Sequence, residues 1–244
     1  ESIERIGAET LCAFVAEPIM GAGGVITAPQ GYHARAKKIC EDYDIKYVAD
    51  EVVTAFGRLG HFFASQDVFG MVPDIITTAK GLTSGYQPLS ATIISDEIYE
   101  VISGPGEKFL HGMTYSGHPA AAAAGLANIA LMEAEQIPER VRTTGKQFEG
   151  LLRGLADLDI VGEVRGSHFM IGIEFVRDKA TKAGFPEETA IGMRVAREAQ
   201  KRGLIARPLG NVLILSPTLV MPPELIEETA AILRDSIEAV TAAL

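Results

Sequence analysis

Cysteine is nearly absent: the 244 residues hold two, Cys12 and Cys40. A pair in so long a chain makes no disulfide framework. Both are therefore read as buried thiols of a reducing, cytoplasmic compartment, Cys12 in an apolar strand and Cys40 on a helical face. Histidine is scarce too, and its five copies show no metal-ligand spacing, so structural, capping or surface roles are expected of them. No apolar run approaches the roughly 18 residues that a bilayer span needs. No signal peptide stands before the first motif, although a chain beginning mid-protein would have lost one. Positive charge is in deficit, with 22 Lys and Arg against 32 Asp and Glu and a formal net charge of −10. That balance argues against nucleic acid or an anionic membrane as a partner. Internal repeats and low-complexity linkers are also missing.

What is present is an ordinary globular balance, 47 % hydrophobic and 22 % charged, long enough for one large domain or two modest ones. Glu1–Gly7 resembles the tail of a helix. Leu11–Ala16 reads as a buried strand ending at Glu17-Pro18, and Gly21, Gly23 and Gly24 as a tight turn. Gly31–Tyr43 follows as an amphipathic helix with Tyr32, Ala36, Ile39, Cys40 and Tyr43 on one face. With strand Tyr47–Ala49 this makes a strand–helix–strand unit of the parallel kind. Ala91–Ser95 is a further strand, Asp96–Ile102 a short helix, and His118–Glu135 an alanine-rich helix expected to be buried between layers or at a subunit contact. A second long helix starts near Pro138 and fades near Leu158. Beyond it the character shifts. Ile160–Val176 reads as alternating strands, Glu187–Arg202 as a helix closed by Gly203, Leu204–Leu215 as two short strands, and Pro222-Pro223 opens the last helix. The expected division is 1–139 and 140–244, the second part a compact α+β domain.

The stretch Tyr47–Lys80 organises the rest. Two short apolar strands each end in an ionisable residue, Asp50 after Tyr47–Ala49 and Lys80 after Ile75–Ala79. Strands of a parallel α/β sheet read as continuous apolar runs, and ligands gather beyond their carboxyl ends. An acid and an amine delivered from two such ends suit pyridoxal 5′-phosphate (PLP), whose aldehyde takes a lysine and whose ring nitrogen takes a carboxylate. Taken alone, either residue is as readily a solvated surface group or a helix cap.

Four ordered motifs carry the reading further: EPIMGAGGV (Glu17–Val25), ADEVVTAFGRLG (Ala49–Gly60), PDIITTAKGLTSGYQPLSA (Pro73–Ala91) and HGMTYSGHP (His111–Pro119). Together they resemble the class III, fold type I, PLP-dependent aminotransferases, most of all the ω-amino acid or amine:pyruvate branch. The resemblance implies an α/β fold: part of a large PLP-binding domain with a parallel-rich sheet, its front missing, followed by a C-terminal α+β small domain. It implies Lys80 as the Schiff-base lysine, Asp50 on the pyridine nitrogen, Val52 packed flat on the ring, and Glu17 orienting Asp50. Thr114 resembles the threonine that reaches the cofactor phosphate of a neighbouring subunit, which implies a homodimer or larger assembly with shared active sites. Arg207, in LIARPLG, resembles the mobile arginine that grips a keto acid's carboxylate and swings aside for an uncharged substituent.

Departures within the family choose between branches. Ornithine- and GABA-type members carry a glutamate where this chain has Ala22, and a carboxylate-binding arginine where it has Ile214. Both absences favour transfer of an amino group from an amine or ω-amino acid to pyruvate or a similar keto acid. Ala55, Met113 and His168 are smaller departures that bear on substrate preference. Other readings share the lysine–aspartate core: an aminomutase, racemase or decarboxylase of the same class, or a truncated, non-catalytic chain that keeps only a dimerisation surface. The resembled family begins before Glu1, where its phosphate loop and its ring-stacking aromatic lie, so this chain alone is expected to be inactive.

Overall fold

The computed structural model describes all 244 residues, and their contacts divide them into two units. The first comprises Glu1–Pro18, Ala28–Gly57 and His61–Gln136; the second comprises Ile19–Thr27, Arg58–Gly60 and Ile137–Leu244. No helix is long and apolar enough to cross a membrane.

The first unit is an α/β layer. β1 (Ala13–Ala16), β2 (Lys46–Asp50), β3 (Ile75–Thr78) and β4 (Ala91–Ile94) form a four-stranded sheet in that spatial order. β1, β2 and β3 run parallel, with Ala16 opposite Ala49 and Asp50 opposite Thr77, and β4 returns antiparallel to β3. Helix α1 (Tyr32–Asp42) makes the crossover from β1 to β2. Cys40, Ile45, Tyr47, Ala49 and Met71 form the core between them, with Leu11, Phe14 and Ala36 packed against it.

Helix α1 presents a different face from the expected one. Its buried residues are His33 and Cys40, whereas Tyr32, Ile39 and Tyr43 are exposed. Both ring nitrogens of His33 have partners: Nε2 lies 3.0 Å from the Pro18 carbonyl oxygen, and Nδ1 lies 2.8 Å from the Tyr47 hydroxyl. Since a carbonyl only accepts, Nε2 carries the proton and Nδ1 accepts from Tyr47. A histidine satisfied at both ends is buried without leaving a polar group unpaired, and the rotation that achieves this turns the apolar rings outward. Lys37 lies on the same side and donates to both Asp74 oxygens at 2.9 and 2.8 Å, while Asp74 accepts the Tyr47 N–H at 2.7 Å.

Cys12 corrects the expectation of two buried thiols, because it precedes β1 and is exposed; Cys40 is buried. The unit also holds the short helices Ser2–Ile6 and Ala64–Asp67, and α2 (Asp96–Ile102) and α3 (Pro119–Ala134). α3 was expected to be buried between layers or at a subunit contact; within this chain only Ala121, Gly125 and Met132 are buried, and Leu126 is 70 % exposed, so the layers of the chain do not enclose it.

The second unit is an antiparallel sheet with helices. α4 (Ile137–Arg153) buries Val141, Phe148 and Leu152. β5 (Val161–Ser167) and β6 (Met170–Asp178) form a hairpin, and β7 (Arg207–Leu209) and β8 (Val212–Leu215) extend it in the order β7-β8-β6-β5. Alternation was expected of these strands, yet residues 170–173 of β6 are buried without a break, since both faces of that central strand are covered. The helix expected over Glu187–Arg202 is shorter. A 3-10 turn occupies Glu187–Thr189, Ala190 takes a left-handed conformation (φ 47°), and α5 runs Ile191–Lys201. Within its first turn Gly192 lies against the neighbouring chain, where a Cβ would come within 2.4 Å of the Gly210 carbonyl oxygen. α6 (Pro223–Thr241) closes the unit on Ile226, Leu233, Ile237 and Val240.

Candidate active site

The parallel register brings three of the sequence-identified residues to one edge of the first unit. Glu17 follows Ala16 at the end of β1, Asp50 ends β2, and Lys80 stands three positions beyond Thr77, the partner of Asp50. Glu17 is half-buried, and the carbonyl of the next residue, Pro18, is the one held by His33.

Asp50 is half-buried and uses one carboxylate oxygen locally: Oδ1 accepts the Val52 N–H at 3.0 Å. The other oxygen has no partner within the chain. Val52 stands just past the strand rather than on it. The strand ends at Asp50, and its side chain draws the next N–H back into a turn.

Glu51 was not singled out from the sequence and is the most enclosed acid of the edge, with 0 % exposure. Oε2 accepts from Ala64 N at 2.8 Å and Thr54 Oγ1 at 3.0 Å; Oε1 accepts from Ser65 N at 2.8 Å and Ser65 Oγ at 2.5 Å. Glu51 therefore stitches the loop after Asp50 to the start of the short helix Ala64–Asp67. Its own N–H donates to the Thr77 carbonyl at 2.8 Å, which ties the end of β2 to β3. The only available signal was its adjacency to Asp50, since all its partners but Thr54 lie 13 and 14 residues away or on β3, and the segment has no periodicity.

Lys80 is exposed, and its amine makes no hydrogen bond or ion pair within the chain. Its backbone is left-handed, with φ 37°, and it opens the 3-10 turn Lys80–Leu82. Gly81 is required by contact: a Cβ there would lie 2.8 Å from the Phe56 Cβ and 3.5 Å from the Ala55 carbonyl oxygen.

Two candidates lie elsewhere. Thr114 is exposed in the turn Met113–Ser116, which is closed by a 2.9 Å bond from Ser116 N to the Met113 carbonyl. Arg207, in the second unit, is exposed at the head of β7 and lines a cavity of about 360 Å³ with Leu204, Ile205, Ile214, Ser216 and Met221. Sequence reasoning also passed over Arg58, whose Nη1 donates to the Phe169 and Pro217 carbonyls at 3.1 and 2.6 Å. Burial pulls its pKa down to about 10. An arginine inside a glycine-flanked loop carries no periodic signal.

These groups fit PLP at two of its functional ends. Asp50 offers a locked carboxylate with one oxygen free for a ring N–H, and Lys80 offers an unengaged amine for an aldehyde. The glycine cluster does not add a phosphate cradle. Gly24 and Val25 donate back to the Gly21 carbonyl, and the chain continues into the short strand Ile26–Thr27 rather than a helix.

An α/β layer with a parallel-rich sheet and this edge chemistry is that of a fold type I PLP-dependent transferase. The family model described as aminotransferase class-III matches residues 1–237. The chain belongs to the class III aminotransferases, a PLP-dependent family. It is 41 % identical over 242 residues to gamma-aminobutyrate transaminase 1, mitochondrial, of Oryza sativa subsp. indica, covering 98 % of this chain and 47 % of that protein. It is 42 % identical over 245 residues to the putrescine–pyruvate aminotransferase of Pseudomonas aeruginosa, covering 100 % of this chain and 53 % of the relative. Among solved structures, an amine transaminase from an uncultivated Pseudomonas species in its PLP-bound form superposes with a TM-score of 0.93 at 39 % identity. That match covers 98 % of this chain and 54 % of the other. The chain thus spans about half the length of the relatives it matches.

Proposed function

We propose that this chain is part of a PLP-dependent transaminase that moves an amino group from an amine or ω-amino acid to pyruvate or a similar keto acid. The observation that carries the reading is the pairing at the sheet edge: Asp50, with one free carboxylate oxygen, ends one strand, and Lys80, with an unengaged amine, stands two residues past the end of its parallel neighbour. Bound PLP supplies an electron sink at its ring. Asp50 holds the ring nitrogen protonated, Glu17 orients Asp50, and Val52 lies against the ring. Lys80 would hold the cofactor's aldehyde carbon and would move the proton at the substrate Cα, a task that needs a neutral amine. Thr114 donates its hydroxyl to the phosphate of a neighbouring subunit, so the working form is a homodimer or larger. Arg207 takes the keto acid's carboxylate, and Ile214 in place of the arginine of GABA-type members supports pyruvate as acceptor.

Residues 1–139 act in this reading as part of the cofactor-binding domain and 140–244 as the small domain. The unpaired thiols Cys12 and Cys40 are in keeping with a reducing, cytoplasmic setting. By itself the 244-residue chain is proposed not to turn over, because Thr114 is the only phosphate contact assigned within it. The test uses the full-length protein with pyruvate and a panel of amines. Stoichiometric alanine together with a pyridoxyl mass on the Lys80 peptide after borohydride reduction is the expected result. Product without alanine points to an aminomutase, racemase or decarboxylase, and a label on another lysine removes Lys80 from its role.

A further inference from the structure

Lys80 occupies a backbone conformation that L-residues rarely take, φ 37°, so something must hold the turn that carries it. The local bonds of that turn are weak at its far end. Leu82 N reaches the Ala79 carbonyl at 2.9 Å, but Thr83 N and Ser84 N reach the Lys80 and Gly81 carbonyls only at 3.3 Å each. The missing donors come from α3. Asn128 Nδ2 donates to the Gly81 carbonyl at 2.9 Å and to the Leu82 carbonyl at 3.1 Å, while Asn128 Oδ1 accepts the Ser84 hydroxyl at 2.7 Å. One side-chain amide thereby binds three of the four residues that follow Lys80, with both N–H groups and its oxygen in use.

The helix is shaped for this approach. Gly125, one turn before Asn128, is buried, and a Cβ there would lie 3.0 Å from Leu89 Cδ2 and 3.9 Å from the Leu82 carbonyl oxygen. α3 therefore lies directly against the turn, and Asn128 reaches the carbonyls without stretching.

We propose that Asn128 is a positioning residue for Lys80. Its amide clamps the turn after Lys80 in the one conformation that presents the amine at the carboxyl edge of β2 and β3. This rests on the reading of Lys80 as the cofactor-binding amine. An amide alone meets the requirement: a carboxylate would set a second oxygen against two carbonyl oxygens, and an aliphatic side chain would take from the Leu82 carbonyl its Asn128 donor and leave the Gly81 carbonyl only the 3.3 Å bond from Ser84 N.

The test takes the full-length holoenzyme with Asn128→Asp, Asn128→Leu and Ser84→Ala. The readouts are kcat, KM for pyruvate, the pH midpoint of the visible absorbance of bound PLP, and the borohydride label on Lys80. Asn128→Asp and Asn128→Leu are expected to lower kcat about ten- to a hundredfold, as a misplaced reacting group does, with KM for pyruvate within about twofold. They are also expected to move the absorbance midpoint by at least about half a pH unit, because the surroundings of the amine change. Ser84→Ala, which keeps both Nδ2 bonds, is expected to lower kcat about threefold and to move the midpoint less. Should Asn128→Leu fail to fold, the other two variants decide. A wild-type midpoint in Asn128→Asp overturns the proposal, whether or not kcat falls, because a merely structural asparagine would leave the amine's surroundings intact. A wild-type label on a lysine other than Lys80 overturns the underlying reading instead, and the clamp's role with it.

Discussion

Arg207 and Ile214 stand directly opposite each other in the antiparallel pair β7–β8. In the GABA-type pattern the carboxylate-binding arginine occupies the Ile214 position, whereas here the cation sits on its register partner. Opposed residues in such a pair have Cα atoms about 4.5–5.5 Å apart, so a guanidinium could serve one neighbourhood from either strand. The two positions differ in burial: Ile214 is 8 % exposed and Arg207 is exposed. An exposed side chain keeps the rotamer freedom that a dual-substrate pocket needs.

Arg207→Ala in the full-length enzyme is therefore expected to raise KM for pyruvate about 10- to 100-fold, the equivalent of one charge-assisted fork of about 1.5–3 kcal/mol. KM for an aryl-alkylamine should change little. Steady-state kinetics with both substrates checks this, and equal effects on the two would make Arg207 a structural arginine.

Glu51 offers a stability test at the same sheet edge as Asp50. Its two oxygens face only donors, from Thr54, Ala64 and Ser65. Glu51→Gln keeps the shape but sets an NH2 group against donors in a fully buried place. A loss of about 3 kcal/mol in unfolding free energy is expected, within the range for breaking buried charge-assisted bonds. Urea unfolding of wild type and variant measures it, and a loss under about 1 kcal/mol would mean that water or movement of the Ala64–Asp67 turn replaces the carboxylate.

How much of this was legible in the sequence follows from which interactions are local. The strands leading to Asp50 and Lys80 are apolar runs, and the helix between β1 and β2 implies a parallel crossover; these strands and the α/β class could be read directly. The His33 face could not, because an apolar count ranks Tyr32 and Ile39 above a histidine whose two partners come from Pro18 and Tyr47. The strand end at Asp50 is likewise set by a side chain, because its carboxylate draws the Val52 N–H back into a turn. Glu51 and Asn128 were invisible for one reason: each acts on backbone groups distant in sequence, and nothing in residue type or spacing marks such a bond. Arg207 and Thr114 are candidates by resemblance alone, since an exposed arginine and a turn threonine have no physical signature.

The His33–Tyr47 pair sets limits on stability at both ends of the pH scale. Burial lowers the His33 pKa from its ordinary 6.5. The unfolded chain thus binds a proton that the folded one refuses, and the contribution present above pH 6.5 is lost as pH falls. Burial pushes Tyr47 from 10 up to about 12, so its contribution is present below pH 10 and is lost as pH rises from there toward 12. Urea unfolding is expected to show stability falling as pH drops below 6.5, with a slope of at most about 1.4 kcal/mol per unit from this one histidine. His33→Gln should flatten that slope, and an unchanged slope in the variant would assign the proton to another group.

Glu149 sets a separate, more acidic limit in the second unit. Burial alone would raise its pKa, but that is outweighed by the His168 N–H, the Lys146 ammonium and the Arg153 guanidinium, which hold it at about 2 against an ordinary 4.5. The His168 N–H lies 3.0 Å from Oε2 and Lys146 Nζ 2.9 Å from it, and Arg153 Nη2 lies 3.0 Å from Oε1. This carboxylate fastens α4 to the β5–β6 hairpin turn, where His168 is left-handed at φ 49° and a Cβ on Gly145 would meet the His168 Cβ at 2.8 Å. With a depressed folded pKa, its contribution is present above pH 4.5 and disappears as pH falls toward 2. Glu149→Gln should destabilise the protein at pH 7 by about 1.5–3 kcal/mol and make it less sensitive to acid in that window, so that the two stability curves converge near pH 2. The same window measured on both proteins by urea unfolding decides the point, because parallel curves from pH 5 to pH 2 would show that the hairpin turn is held by packing on Gly145 and not by the carboxylate.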